Sequence, residues 1–165
     1  MSVLLVFGVA ITLGILLIAL IAIGSPKRPL MVPDRKEPAS LYEELNSVDL
    51  AHLVMQAMGR MGIEVDRWQG GPGEVVEIYA NNPTPVTGGS VLIHCVAPPA
   101  DTGMVDGRQI GRFIRATRSA YVNKGLFFTG GRFSPDAHLE ADGAPVELFD
   151  GKGLEHLLSK LGVAQ

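Results

Sequence analysis

From Val3 to Ile23 the chain carries no charged residue, and the run VLLVFGVAITLGILLIALIAI is broken only by Gly8, Thr12 and Gly14. At about 1.5 Å per helical residue, some 20 such residues span a hydrocarbon core of roughly 30 Å. A cleaved signal peptide would instead need a basic n-region, an apolar core of about 7–15 residues and a small-x-small cleavage site. No Lys or Arg precedes this run, the run is too long, and IAIGS is a poor site. Residues 1–24 are therefore expected to form a transmembrane helix in a lipid bilayer. Lys27, Arg28, Arg35 and Lys36 follow it closely. By the positive-inside bias, the N-terminus lies outside and the rest of the chain in the cytoplasm, as in a single-pass protein of an inner (cytoplasmic) membrane.

Residues 25–46 read as a charged, Pro-rich linker: Pro26, Pro29, Pro33 and Pro38 prevent helix and favour an extended tether. Ser40 and Glu43 form a capping-box pattern before a short helical turn in SLYEEL. Residues 47–165 are left for one folded domain. The single cysteine forbids an internal disulfide, which fits a reducing compartment. The net charge of -3 gives no global electrostatic case for nucleic-acid binding, so any such case has to be local.

Within the domain, Leu50, Leu53, Val54, Ala57, Met58 and Met61 recur at helical spacing, with Gly62 placed to stop the helix. Three β-like runs follow, IEVDRW, EVVEIYA and SVLIHCVA, separated by the turn-forming clusters QGGPG and NNPTPVTGG. In GRQIGRFIRATRSAY, about 100° per residue gathers Ile110, Phe113, Ile114, Thr117 and Tyr121 on one side and Arg108, Arg112, Arg115 and Arg118 on the other. GLFFTG reads as a strand. SPDAHLEA opens with Ser134 as an N-cap, Pro135 at the first helical position and Asp136 in the first turn. PVELFD and LEHLLSKLG supply a last strand and helix. The order predicts an α/β sandwich with a three-strand meander and at least one strand-helix-strand crossover.

The stretch KGLFFTGGRFSPDA, with RQIGRF and GIEV before it and ELFDGKGLEHLL after it, resembles the Mrr-like restriction endonuclease family over residues 47–161. The resemblance implies the PD-(D/E)xK fold, a restriction-endonuclease-like three-layer sandwich around a central mixed sheet. In that fold, strand carboxylates hold Mg²⁺ to activate water and polarise the scissile phosphate, and a lysine stabilises the charge that develops. Carried onto this chain, Glu77 stands at the family's strand-two acid, His94 at the third-strand Gln or Glu, and Val96 at the lysine. Ala51 replaces a further acid in the first helix. No Lys or Arg lies between Ser90 and Asp101. The resemblance thus implies a vestigial site at Glu77, His94 and Val96, with no catalytic residue, no metal and no cofactor expected.

Other features carry weaker signals. His94 and Cys95 adjoin on a strand and point to opposite faces, so they do not share an ion. Cys95 lacks a neighbouring base and reads as a small core hydrophobe; His52, His138 and His156 are expected to face solvent. The Arg stripe can bind phosphates, an acidic partner or anionic headgroups, or simply be solvated. Gly130 to Phe133 could present backbone N–H groups and Arg132 to an anion, although turn geometry also accounts for both glycines. The expected function is a membrane-anchored, non-cleaving endonuclease fold used as a binding or assembly module, with an unidentified membrane-protein partner. The alternative is an Mg²⁺-dependent nuclease or DNA binder that uses Glu77, His94 and a recruited arginine such as Arg132.

Overall fold

Helix α1 (Ser47–Arg60) starts where Asn46 accepts hydrogen bonds from the backbone N–H groups of Val48 and Asp49. It ends at Met61, ahead of Gly62 with φ of 74°. The computed structural model describes residues 42–71, 74–86 and 88–163. The segment expected to cross a membrane, and residues 25–41 of the expected linker, lie outside these. Among the described residues no helix is long and apolar enough to cross a membrane. Tyr42 to Glu44, expected at the end of a short helical segment, form a turn.

Three strands follow α1: β1 (Glu64–Gly71), β2 (Val75–Asn82) and β3 (Gly89–Val96), an antiparallel meander as the short turns predict. A two-residue strand β4 (Met104–Val105) leads into α2 (Gly107–Ser119). Then come β5 (Lys124–Thr129), β6 (Arg132–Phe133), α3 (Pro135–Ala141), β7 (Val146–Phe149) and α4 (Gly151–Leu161). The main sheet has five strands in the order β1-β2-β3-β5-β7, with β3, β5 and β7 parallel. Two crossovers therefore exist where the sequence required one, β3–α2–β5 and β5–α3–β7. The expected mixed α/β sheet is present.

Each helix start is explained by local chemistry. Asp106 and Gln109 form a capping box on α2, Ser134 caps α3 ahead of Pro135, and Asp150 accepts from Gly153 N–H at 2.7 Å to start α4. Asp136 reaches beyond its own helix, since its Oδ2 accepts from Gly107 N–H at 2.9 Å and so ties α3 to the start of α2. The Ser134 hydroxyl and the Gly107 N–H hold its carboxyl below the usual carboxylate range.

The sheet separates two cores. On one face α1 and α4 pack Leu50, Val54, Met58, Leu154 and Leu158 against Val76, Ile78, Cys95 and Phe128. On the other, α2 and α3 pack Ile110, Phe113, Ile114 and Ala137 against Leu92, Val96 and Phe127. A side chain of Leu or Phe size contributes about 1.5–3 kcal/mol when fully buried. Helix α2 sits so close to β5 that a Cβ on Gly125 would lie 2.6 Å from Thr117 Oγ1 and 2.7 Å from a Phe113 ring carbon. Tyr121 departs from its expected place on the apolar face of α2. The helix ends at Ser119, Tyr121 takes a φ of 54°, and its side chain is exposed.

Candidate functional site

Antiparallel pairing of β2 with β3 sets Glu77 directly opposite His94 and Val75 opposite Val96. Alternation along each strand sends these four side chains to the α2 face and Cys95 to the other. They line one side of a cavity of about 230 Å³, which Phe127 and the α2 residues Gln109, Arg112, Phe113 and Ala116 complete. The structure thus gathers Glu77, His94 and Val96, the three positions implied by the family resemblance. Ala51 does not join them, being buried in the apolar core on the opposite face.

His94 Nε2 lies 3.2 Å from Glu77 Oε1, with both side chains largely buried. The distance suits a hydrogen bond but the direction does not. Among the described residues, this Nε2 is the buried side-chain nitrogen or oxygen left without a hydrogen-bond partner. Burial depresses the His94 pKa below its ordinary 6.5, while the Glu77 charge and contact pull it upward; burial wins. The pair is therefore a polar contact of a neutral imidazole with a carboxylate, and no salt bridge at neutral pH. Its positions are fixed from behind: Gln69 Nε2 donates to Glu77 Oε2 at 3.3 Å, and the His94 ring stands 4.6 Å from Phe113 and 6.1 Å from Phe127, centroid to centroid.

Mg²⁺ requires several hard oxygen ligands in near-octahedral array. This cavity offers one carboxylate, and among the described residues no group of three His, Cys, Asp or Glu side chains could hold an ion. The donor set lacks the second strand carboxylate that the family pattern pairs with magnesium. Val96 supplies no charge where the lysine would stand.

Arg108, Arg112, Arg115 and Arg118 are all exposed along α2, on the face the helical period assigned them. Arg108 contacts Asp106 at 3.1 Å, an exposed pair of small energetic worth. Arg108, Arg112 and Arg115 share an open cleft of about 880 Å³ with Asp106, Asp136 and Glu140. Three positive and three negative side chains leave that cleft electrically balanced.

Arg112 lines both this cleft and the Glu77–His94 cavity. Sequence reading missed Arg112 and Gln109 as neighbours of the strand pair. The available signal was that Gln109, Arg112 and Ala116 form a row at three- and four-residue spacing, beside the apolar row of Phe113.

Arg132 lines neither space. Two N–H groups of its turn are already used: Gly131 donates to Thr129 Oγ1 at 3.3 Å and Arg132 to the Gly103 carbonyl at 3.1 Å. The two glycines answer to space, because a Cβ on Gly130 would run into the Tyr42 carbonyl and one on Gly131 into Pro98 and Gly103. Cys95 is wholly buried, and its thiol pKa is pushed far up by burial, as a core hydrophobe requires. His52, His138 and His156 are exposed, as expected.

A family model described as a restriction endonuclease, of the Mrr catalytic type, matches residues 42–158. No curated protein matches the chain. Among solved structures, the MspJI restriction endonuclease in complex with a 27-mer oligonucleotide is similar at 22% identity with a TM-score of 0.45. The match covers 70% of this chain and 28% of that one.

Proposed function

This chain belongs to the Mrr-type restriction endonuclease family, and from that membership we propose that its domain is a membrane-anchored binding or assembly module that does not cut DNA. The observation that carries this reading is the chemistry of one cavity. Cleavage needs a metal to activate water and a cation to offset charge on the phosphorane. Glu77 supplies a single carboxylate, His94 is neutral, and Val96 is apolar.

The charge-free run from Val3 to Ile23 supports anchoring in a bilayer, and the basic residues after it support a cytoplasmic domain. The partner is an integral-membrane protein assembly that this chain serves as an accessory subunit. The Arg stripe of α2 is its contact. Its cleft is balanced by acids, and the chain carries a net charge of -3, which disfavours DNA.

The test is affinity purification of the full-length protein from membranes, beside a variant with Arg108, Arg112, Arg115 and Arg118 all reversed to Glu. Stoichiometric recovery of a membrane assembly, lost in the reversed variant while its circular dichroism is unchanged, is the expected result. Recovery of DNA-processing proteins alone contradicts the proposal.

One observation favours a second reading. Arg112 reaches the Glu77–His94 cavity, so an arginine from α2, in place of Arg132, could serve a nuclease or DNA binder. Under that reading Mg²⁺ is the expected cofactor, log affinity for DNA falls linearly with log salt, and Arg112→Ala lowers the slope by about one.

A further inference from the structure

Helices α1 and α4 cover one face of the sheet but leave a cavity of about 270 Å³. Its floor is Val91, Leu126, Phe128 and Phe149 of the sheet, and its walls include Met58 and Met61 at the C-terminal end of α1 and Leu157 of α4. At about 30 Å³ for a water-sized group, the space holds some nine of them. The rim is polar. Asn82 and Lys124 are half-buried there, Asn123 is exposed, and Glu147 pairs with Lys124.

Both rim asparagines have a fixed orientation. Asn82 Oδ1 accepts from the Thr84 N–H at 3.0 Å, and Asn123 Oδ1 accepts from the Ser90 N–H at 3.1 Å. A backbone N–H can only donate, so each amide turns its oxygen to it and has its Nδ2 group left over. Among the described residues neither Nδ2 has a hydrogen-bond partner. Gly89 makes room for this arrangement, because a Cβ there would lie 2.4 Å from Asn123 Oδ1. Lys124 and Glu147 neutralise each other, and the ammonium keeps further N–H groups. The rim therefore offers donors without net charge.

We infer that this cavity binds a neutral medium-chain carbonyl compound, a ketone or ester of about eight carbons by its volume, with the alkyl chain on the apolar floor and the carbonyl oxygen accepting from the asparagine Nδ2 groups. An amine would bring donors to a rim already rich in them, and a carboxylate would set its charge beside Glu147. Methionine thioethers adapt to irregular apolar shapes, which suits Met58 and Met61 as walls. The cavity lies on the opposite face of the sheet from Glu77 and His94, so the inference does not rest on the non-cleaving reading.

The experiment uses full-length protein in lipid nanodiscs, labelled with ¹³C-methyl methionine and titrated with 2-octanone, sodium octanoate or octylammonium chloride under NMR observation. The ketone is expected to shift the Met58 and Met61 signals saturably and to leave Met104, which lines no part of the cavity, unmoved. Octanoate should bind at least about tenfold more weakly, and octylammonium should give no saturable shift. Asn82→Asp and Asn123→Asp keep the oxygen that accepts from the backbone and replace the donor with an acceptor. Each should weaken ketone binding about tenfold.

A parent protein whose Met58 and Met61 signals do not saturate with 2-octanone overturns the site. Binding of octanoate or octylammonium as tight as that of the ketone overturns the neutral-carbonyl class, and unchanged ketone affinity in both folded Asp variants overturns the role of the rim. If circular dichroism shows that neither variant folds, the comparison of the three head groups on the parent decides.

Discussion

Cys95 and His94 are neighbours on β3, yet they enter two differently built halves of the molecule. Cys95 joins an apolar core in which Phe128 stacks on Phe149 at 4.6 Å beneath α1 and α4, beside a cavity of about 270 Å³ lined largely by apolar side chains such as Met58, Leu126 and Leu157. His94 enters a face whose cavity brings a carboxylate, an imidazole and an arginine among aromatic rings. Strand alternation makes the division sharp: one face of the sheet is apolar throughout its packed layer, and the other carries the buried polar pair. Both faces pack a core against the sheet, and the residues at the family's acid and lysine positions lie on the α2 face alone.

Core truncation should give the largest effect. Phe128→Ala is expected to cost about 3–5 kcal/mol in urea unfolding of the full-length protein, since it leaves a void in a packed region. A loss much below that would mean the α1 face is less tightly built than its burial indicates.

The next pair sets adjacent residues against each other. Cys95→Ser puts a hydroxyl without a partner at a fully buried apolar position and should cost about 1–3 kcal/mol. His94→Leu removes an unpartnered polar group and should change stability by less than about 1 kcal/mol. Equal losses for the two variants would erase the distinction between the faces.

The smallest effect concerns pH. Because the folded pKa of His94 is below 6.5, the unfolded chain binds more protons as pH falls below that value. Stability of the protein should therefore be full above about pH 6.5, decline below it, and stop declining once pH passes the folded pKa. Urea midpoints measured across this range should lose the decline in His94→Leu. A midpoint that rises on acidification would show that Glu77, and not burial, governs the imidazole.

Much of this division was legible in the sequence. Period-two alternation in VLIHCV and EVVEIYA put Glu77, His94 and Val96 on one face and Cys95 on the other, and the register of β2 with β3 brought the first three together. Proline and glycine clusters marked the turns, so the order of the main elements followed. The two-residue strands β4 and β6 carry too little pattern to be seen.

Arg112 lies on its expected face, but a helical wheel sorts residues into two faces and does not reveal that a residue at the border of the buried stripe also lines the cavity. Tyr121 was counted with the apolar face because the period does not reveal where a helix stops. The turn at Gly130 and Gly131 looked like a set of open N–H donors; only the path of residues 42 and 98–103 across it shows why both are glycine. That path depends on contacts distant in sequence.

The central claim is that an Mrr-type fold persists here without the means to cut a phosphodiester. Its most direct test is incubation of the full-length protein in detergent with supercoiled plasmid and Mg²⁺ or Mn²⁺, beside Glu77→Ala. The account predicts no nicking above the level of that variant at either metal. Cleavage by the parent protein that disappears in Glu77→Ala would contradict it.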